Sequence, residues 1–402
     1  MSRKKIVFVC LTFHWPPLGG AWVDEYEVMS RLSEKYDLTL IVPSFERFFP
    51  RGKIEKEMPF KVVRIPFNIV SFNRFILSRK IRSAVDKISP DVIFIGESGV
   101  MRPHISNALT KYKVIHRFYS TSIWCFNQNY FQNGAFCGKN IIDDFFQCVL
   151  CASKMWSDRL HEFIAATGFS PTYVRNLEKT YRNAYAIIVY NERIKSLLSG
   201  WNENVRVFPG GVDCEKFKPL RKEPNKKRLE IILPGRADDP AKGLNVLLKA
   251  VKEMKELEKK IRIKITWCHS EPPDGVDNIE IAPWMQFDEV EKFYRGADIC
   301  VVPSLWEEPF GITALEAMAC EIPVIASRIG GLQSIVVDGK TGFLFEPGNS
   351  SELRQKLISL IENEELRRKM GKEGLTRVRE NYSWEALMKK YYFPLVEEAV
   401  GK

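Results

Sequence analysis

One pattern constrains this chain more than any other: short apolar runs alternate with segments of helical period, and after a polar break the alternation begins again. In the first half, KIVFVCLTF, LTLIVP, DVIFIG, KVIHRF, AIIVY and VRVFPGG read as strands. Unbroken runs rich in branched apolar residues suit strands covered on both faces. DEYEVMSRLSEKY and RFILSRKIRSAVDKI lie between them with apolar residues at helical spacing. That is the βαβ pattern of a parallel, doubly wound sheet. The second half repeats it, with LEIILPG, IRIKITWC, ICVVPS and PVIAS as strands. GLNVLLKAVKEMKELEKK, VEKFYRGAD and ITALEAMA are its helices. SSELRQKLISLIEN, EELRRKMGKEGLTRVRENY and SWEALMKKYYFPLVEEAV follow as late helices, the last opened by Ser383 as an N-cap.

A chain of 402 residues exceeds one ordinary core and suits two domains. The expected division is 1–219, a linker at 220–229 (PLRKEPNKKR), 230–382, and a terminal helical segment 383–402 crossing back to the first domain. No apolar run reaches the ~18 residues of a membrane-spanning helix. MSRKKIVFVCLTF imitates a signal peptide, but HWPPLGG follows where a small-residue cleavage site belongs, so the run reads as a buried first strand and the chain as cytoplasmic. The net charge of +10 is compatible with nucleic acid, an anionic membrane or a phosphorylated ligand. Nucleic acid ranks last, since neither a helix-turn-helix cue nor an RNA-binding aromatic signature is present.

Open α/β sheets bind ligands at the carboxyl ends of their strands. Four segments stand there. In PPLGGAWVDEYE, Gly19 and Gly20 admit close approach of a ligand before a helix start, or simply turn the chain. In LPGRADDPAKGLNVLLKA, Gly235 permits a tight turn, and Arg236 and Lys242 are two cations able to hold a diphosphate; a solvated loop is the alternative. PSLWEEPFGITALEAMACEIPVIAS carries Glu308 and Glu316 on either side of a helix start, with the N–H groups of Phe310, Gly311 and Ile312 available to a ligand. Side chains lean toward a helix N-terminus, so both carboxylates are expected to face one pocket, where they suit vicinal sugar hydroxyls. VFPGGVD is a fourth turn, at Gly210 and Gly211.

Taken in order, PPLGG, VFPGGVDCEKFKP, LPGR with KGLNVLLKA, GADICVVPSLWEEPFGITALEAMA, PVIAS, IGG, VVDGKTGFLFEP and YSWEALMKKYY resemble glycosyltransferase family 4, the retaining nucleotide-sugar transferases of GT-B fold. The resemblance is strong over roughly residues 205–390 and weaker over 1–204. It implies two Rossmann-like domains facing across a cleft, the first on the acceptor side and the second on the donor side. It implies that Arg236 and Lys242 bind the donor diphosphate, Glu308 the transferred sugar and Glu316 the ribose. The N–H groups of Gly311 and Ile312 would cap the phosphate or sugar, and Gly19 and Gly20 would approach the donor. His116, at the end of KVIHRF, would stand near the sugar and acceptor, against the alternative of a structural strand-end histidine. The chain departs from the family pattern at Trp22, at Glu321, and at Leu332, Gln333 and Ser334 after Gly330-Gly331.

The implied activity is retaining transfer of a hexose-type sugar from a UDP-, GDP- or ADP-sugar to a hydroxyl of a glycan, lipid-linked or small-molecule acceptor. A nucleotide-sugar epimerase of the same fold and a non-catalytic nucleotide-sugar-binding subunit are the alternatives. No Asp-x-Asp triplet occurs, so fixed cations and a helix N-terminus are expected to neutralise the diphosphate, with no cofactor needed for the chemistry.

Two features fall outside this scheme. Cys125, Cys137, Cys148 and Cys151, spaced C-x11-C-x10-C-x2-C, read as a structural zinc site, as one or two disulfides, which a cytosolic setting disfavours, or as free thiols. Residues 44–82 hold ten Lys/Arg against three Asp/Glu, with Phe45, Phe48, Phe49, Phe60, Phe67, Phe72 and Phe75 interleaved. That composition suits peripheral contact with an anionic inner membrane surface, or equally core phenylalanines under a solvated basic face.

Overall fold

The computed structural model describes residues 3–17, 19–45, 52–119, 125–126, 131–132, 135–154, 157–219, 227–267 and 279–401, the side chains of 131–132, 135–136, 157–159 and 258 excepted. In the first half the chain forms β1 (Lys5–Val9), α1 (Gly20–Lys35), β2 (Asp37–Phe45), β3 (Lys61–Phe67), α2 (Arg74–Ile88), β4 (Val92–Ile95), α3 (Arg102–Ala108) and β5 (Val114–Arg117). A hairpin of β6 (Phe131–Gln132) and β7 (Ala135–Phe136) comes next, then α4 (Phe145–Ala152), α5 (Ser157–Ala165), α6 (Pro171–Asn183), β8 (Ala186–Val189), α7 (Glu192–Leu198) and β9 (Val205–Val207). The second half holds β10 (Leu229–Leu233), α8 (Leu244–Lys252), β11 (Ile261–Trp267), β12 (Ile279–Pro283), α9 (Glu291–Tyr294), β13 (Ile299–Val302), α10 (Ile312–Ala319), β14 (Val324–Ser327), α11 (Leu332–Ile335) and β15 (Gly342–Phe345). It closes with α12 (Ser350–Glu362), α13 (Glu364–Asn381), α14 (Trp384–Leu387), a π-helical turn Met388–Tyr392 and α15 (Phe393–Val400).

The chain divides into two compact units. One comprises Met1–Tyr130, Gly138–Pro209 and Met388–Lys402, the other Phe131–Cys137 and Gly210–Leu387. The boundary falls at Pro209/Gly210, ahead of the expected linker, because Val212 is already tied to the second unit: its N–H donates to Tyr382 O. Residues 220–226 of that linker lie outside the described residues, and Leu229 begins a strand. The terminal segment groups with the first unit from Met388 onward. There Arg206 and Tyr185 both bond the Glu398 carboxylate, and Lys113 Nζ donates to Ala399 O at 2.7 Å.

The first unit holds a parallel seven-stranded sheet in the order β3-β2-β1-β4-β5-β8-β9, and the second a parallel six-stranded sheet in the order β12-β11-β10-β13-β14-β15. Central strands β4, β5, β8, β13 and β14 are buried at every residue, as strands with helices on both faces must be. In register, Ile6 stands beside Leu38 and Val92, and Ile231 beside Ile263 and Ile299. Helix starts are fixed by side-chain caps: Asn73 accepts from Phe75 and Ile76, Asn349 from Glu352, Asn363 from Leu366, and Ser383 from Ala386. Strand order reverses beside β1 in one sheet and beside β10 in the other, so each sheet has a switch point between neighbouring strand ends.

The first unit also buries charge. Arg117, at the end of β5, is 1% exposed. It donates to Phe208 O at 2.9 Å and reaches Asp24 Oδ2 of α1 at 3.4 Å, while Tyr190 donates to the same oxygen at 3.2 Å. Burial pushes the Asp24 carboxyl up, and the Arg117 guanidinium pulls it back. Removing one partner of such a pair strands the other. Arg117→Met is therefore expected to lower unfolding free energy by about 3–5 kcal/mol. Adding Asp24→Asn should recover part of the loss, and chemical denaturation of the three variants measures both effects.

A lysine and carboxylate cluster at the switch point of the second sheet

The switch point of the second unit lies between the carboxyl ends of β10 and β13, and two loops meet there. After β10 the chain turns at Gly235 (φ 98°), whose carbonyl accepts from the Thr266 hydroxyl. Asp239 caps a short 3-10 turn over Pro240–Lys242 by accepting from Ala241 N at 3.0 Å. Gly243 follows with φ 75°, so close to the other loop that a Cβ built on it would stand 1.9 Å from Pro303 O. Only glycine permits that approach. Leu305 N then donates to Ala241 O at 2.8 Å and locks the loops together.

This contact brings Lys242 to Glu308. Lys242 Nζ lies 3.3 and 3.1 Å from the two carboxylate oxygens, and Ser304 Oγ donates to Oε2 at 3.2 Å. The two charged side chains are 19% and 12% exposed: mostly withdrawn, yet open to an incoming group. Lys242 also stands 4.9 Å from the centre of the Trp306 ring. Behind Glu308 the Gly330-Gly331 pair packs on the backbone. A Cβ on Gly330 would fall 2.1 Å from Glu308 O, and Gly331 N donates to that oxygen at 2.8 Å. Ser304 and the Gly330-Gly331 packing escape the sequence reading. A small polar residue ending a strand, as in VVPS, is the one signal that points to Ser304.

Helix α10 starts at the far side of the same loop. Phe310 is buried, and Gly311 (φ 105°) opens the helix before Ile312. The first N–H groups of a helix have no intrahelical acceptor, so this end favours an anion. Arg236 is 44% exposed and pairs with Asp239 at 3.5 Å. It belongs to the same loop as Lys242 but not to the Lys242–Glu308 bond network.

Glu316 does not share partners with Glu308. It lies one turn along α10, buried, and accepts from the Tyr294 hydroxyl of α9 at 2.5 Å. Burial raises its carboxyl to about 7, although the Tyr294 bond and the nearby Lys216 ammonium both pull it down. Tyr294 lines an open cavity with Lys216, Lys218, Glu291, Arg295 and Cys320, and neither Lys242 nor Glu308 reaches it. The expected common pocket for the two glutamates is thus two neighbouring environments, because the helix turns Glu316 toward α9.

The first unit holds the remaining candidates. Gly20 is the first residue of α1, and Gly19 precedes it in extended conformation (φ −173°) with Trp22 packed close by. His116 has no exposed surface, and its Nε2 is 3.0 Å from Ser106 Oγ. Burial holds its imidazole well below its usual range. The strand-end position turns it toward Ser106 of α3, the placement of the strand-end structural alternative. Glu25 and Glu97 meet at the ends of β1 and β4: Glu97 N donates to Glu25 Oε1 at 2.5 Å, and burial raises the Glu25 carboxyl to about 8. The sequence reading did not single out this pair.

Of the four cysteines considered for zinc, Cys148 and Cys151 lie on α4, and Cys125 and Cys137 in loops. Among the described residues no three His, Cys, Asp or Glu side chains gather as metal ligands. Cys148 packs against the apolar core.

Glu316 carries a pH signature. Its folded value of about 7 lies above the 4.5 of an unperturbed glutamate, so the folded state holds the extra proton between those values. Stability from this group is present at the acid end of that window and lost as pH rises through it. Thermal melts of the wild type and Glu316→Gln are expected to converge near the acid end and to diverge in favour of the variant toward neutral pH. A constant difference would show that Glu316 is ionised throughout.

Comparison with known proteins places this geometry. Residues 216–377 match the family model for glycosyl transferases group 1. An uncharacterized glycosyltransferase of Methanocaldococcus jannaschii is 39% identical over 155 residues, which are 36% of this chain and 42% of that one. A D-inositol 3-phosphate glycosyltransferase of Corynebacterium jeikeium is 30% identical over 233 residues, 51% of this chain and 55% of that one. The chain thus spans about half the length of these curated relatives. Sucrose-phosphate synthase of Thermosynechococcus elongatus superposes with TM-score 0.71 at 19% identity, covering 98% of this chain and 100% of that one. Anabaena HepE, solved in complex with UDP, gives TM-score 0.67 at 14% identity over 98% and 100% of the two chains. The fold is that of GT-B glycosyltransferases, and the segment that builds the Lys242–Glu308 cluster belongs to the glycosyl transferases group 1 family.

Proposed function

We propose that the chain is a hexosyltransferase whose second unit holds a nucleotide-diphosphate sugar and whose product keeps the donor's anomeric configuration. The observation that carries this reading is the Lys242–Glu308–Ser304 cluster beside the start of α10, at the switch point of the sheet. A diphosphate needs fixed cations and N–H donors; Lys242, Arg236 and the N–H groups of Gly311 and Ile312 supply them on one rim. When phosphate oxygens draw Lys242 away, Glu308 is left to accept hydrogen bonds from hydroxyls of the transferred sugar. Glu316, with one oxygen engaged by Tyr294, keeps acceptor capacity for the ribose.

In this reading the leaving diphosphate is stabilised by charges in place before reaction, so the protein reorganises little at the transition state. The sequence offers no Asp-x-Asp triplet, and no step is routed through a metal. The acceptor hydroxyl, from a glycan, lipid-linked or small molecule, attacks on the face the diphosphate leaves. Its proton passes to a donor phosphate oxygen, which needs no side-chain base and is consistent with a buried His116. UDP in the HepE structure supports a uridine donor as the first to test.

Titration with UDP is the direct assay. Lys242→Ala and Arg236→Ala are each expected to weaken affinity by roughly 1.5–3 kcal/mol, the scale of a charge-assisted bond, with the exposed Arg236 at or below the low end. Glu308→Gln should cut turnover far more than UDP affinity. Unchanged affinity in both cation variants would overturn the assignment. Conversion of UDP-sugar to an isomer without acceptor would mark an epimerase instead.

A further inference from the structure

The basic, phenylalanine-rich stretch of the first unit is not explained by donor binding. Its phenylalanines fall into two groups. Phe60, Phe67 and Phe72 are buried, and Phe45 packs on the same core. Phe48 and Phe49 lie outside the described residues. Phe75 alone among those described turns outward, 70% exposed in the first turn of α2. Just before it the loop offers Ile69, 47% exposed, and Val70, 79% exposed.

A second segment meets this one. The last turn of α5 exposes Ile164, and the turn that follows exposes Phe169, each by more than half. Arg74 NH1 donates to Thr167 Oγ1 of that turn at 2.9 Å, which pins the two segments side by side. Five exposed apolar side chains thus lie within five residues of the two ends of one hydrogen bond. Scattered exposed apolar residues are ordinary, but five on two pinned segments form a patch.

The charge beside the patch has one sign. The exposed residues of α2 run Phe75, Arg79, Arg82, Ser83 and Lys87, one helical stripe that is apolar at its tip and cationic along its length. Arg74 flanks the tip, and Lys80 lies on the neighbouring face with its Nζ 4.7 Å from the Phe67 ring centre. The one acid on α2 is Asp86, which Tyr112 and Lys111 bind and which Arg82 approaches at 3.8 Å, a long, exposed pair that leaves the stripe net cationic. A protein partner would require a matching acidic and apolar surface. An anionic bilayer supplies both features by its nature: phosphate headgroups for the arginines and acyl chains for the tip.

We propose that this surface, Ile69, Val70 and Phe75 with Ile164 and Phe169, edged by Arg74, Arg79 and Arg82, docks the chain on an anionic membrane. The apolar tip enters the headgroup boundary, and the α2 stripe lies along the phosphates. The site is separate from the donor residues, so it stands or falls independently of the proposed transfer reaction.

Vesicle co-sedimentation tests it with the full chain. Binding is expected to phosphatidylglycerol–phosphatidylcholine vesicles, weaker at high salt, and not to phosphatidylcholine alone. Val70→Ser with Phe75→Ser should weaken binding at least about tenfold, as loss of two inserted side chains requires. Both positions are exposed, so melting temperature and UDP affinity should stay at wild-type values and verify folding. Arg79→Gln with Arg82→Gln should reduce the preference for anionic vesicles while the apolar contribution remains. Equal binding by the Val70/Phe75 variant, or binding indifferent to lipid charge, would overturn the proposal. So would a stable dimer that the same variant dissolves, because the patch would then be covered by a second copy.

Discussion

The approach of Gly243 to Pro303 sets the geometry of the second unit's switch point. Two loops from neighbouring strands come within van der Waals range of each other's backbone there, closer than any side chain would allow. The Leu305–Ala241 hydrogen bond is a consequence of that approach, and so is the Lys242–Glu308 pair. Gly330 and Gly331 repeat the device from the other side, pressing on the Glu308 backbone. The result is a carboxylate and an ammonium held by backbone packing rather than by long flexible side-chain contacts. Such positioning suits the proposed donor site, which would meet a diphosphate and a sugar at once.

The buried charges of the chain follow different rules in different places. Asp24 and Arg117 pair inside the first unit, with Tyr190 and the Phe208 carbonyl adding further bonds. Glu25 and Glu316 have no such cation in contact, and burial raises both. Lys242 and Glu308 stand between these cases, paired but partly exposed. Their pairing seals neither from a ligand. A buried pair specifies structure, and a half-buried pair can exchange partners.

Much of this was legible in the sequence. The strand runs and α2 lie where the apolar patterns put them, because parallel strands covered on both faces announce themselves as unbroken apolar segments. Strand β3 was not read, since KVVRIPF sits at a sheet edge, where arginine, lysine and proline are tolerated. Helix α8 stops at Lys252, half the expected length, after which the lysine- and glutamate-rich remainder makes only turns. For the site, the sequence singled out Lys242 and Glu308 as candidates, but not that they touch; that depends on a glycine meeting a carbonyl sixty residues on. The division of Glu316 from Glu308 was illegible, because Tyr294 reaches it from another helix. The burial of His116 against α3 was likewise illegible, because a strand-end histidine reads the same whether it faces a ligand or a neighbouring helix.

The central claim is that loops 235–243 and 304–312 hold the diphosphate of a nucleotide-sugar donor. A crystal structure of the chain grown with UDP tests it most directly. The account predicts phosphate oxygens within hydrogen-bond distance of Lys242 Nζ and of the N–H groups that open α10, with Glu308 released from Lys242. A nucleotide bound elsewhere, with the Lys242–Glu308 pair undisturbed, would contradict it.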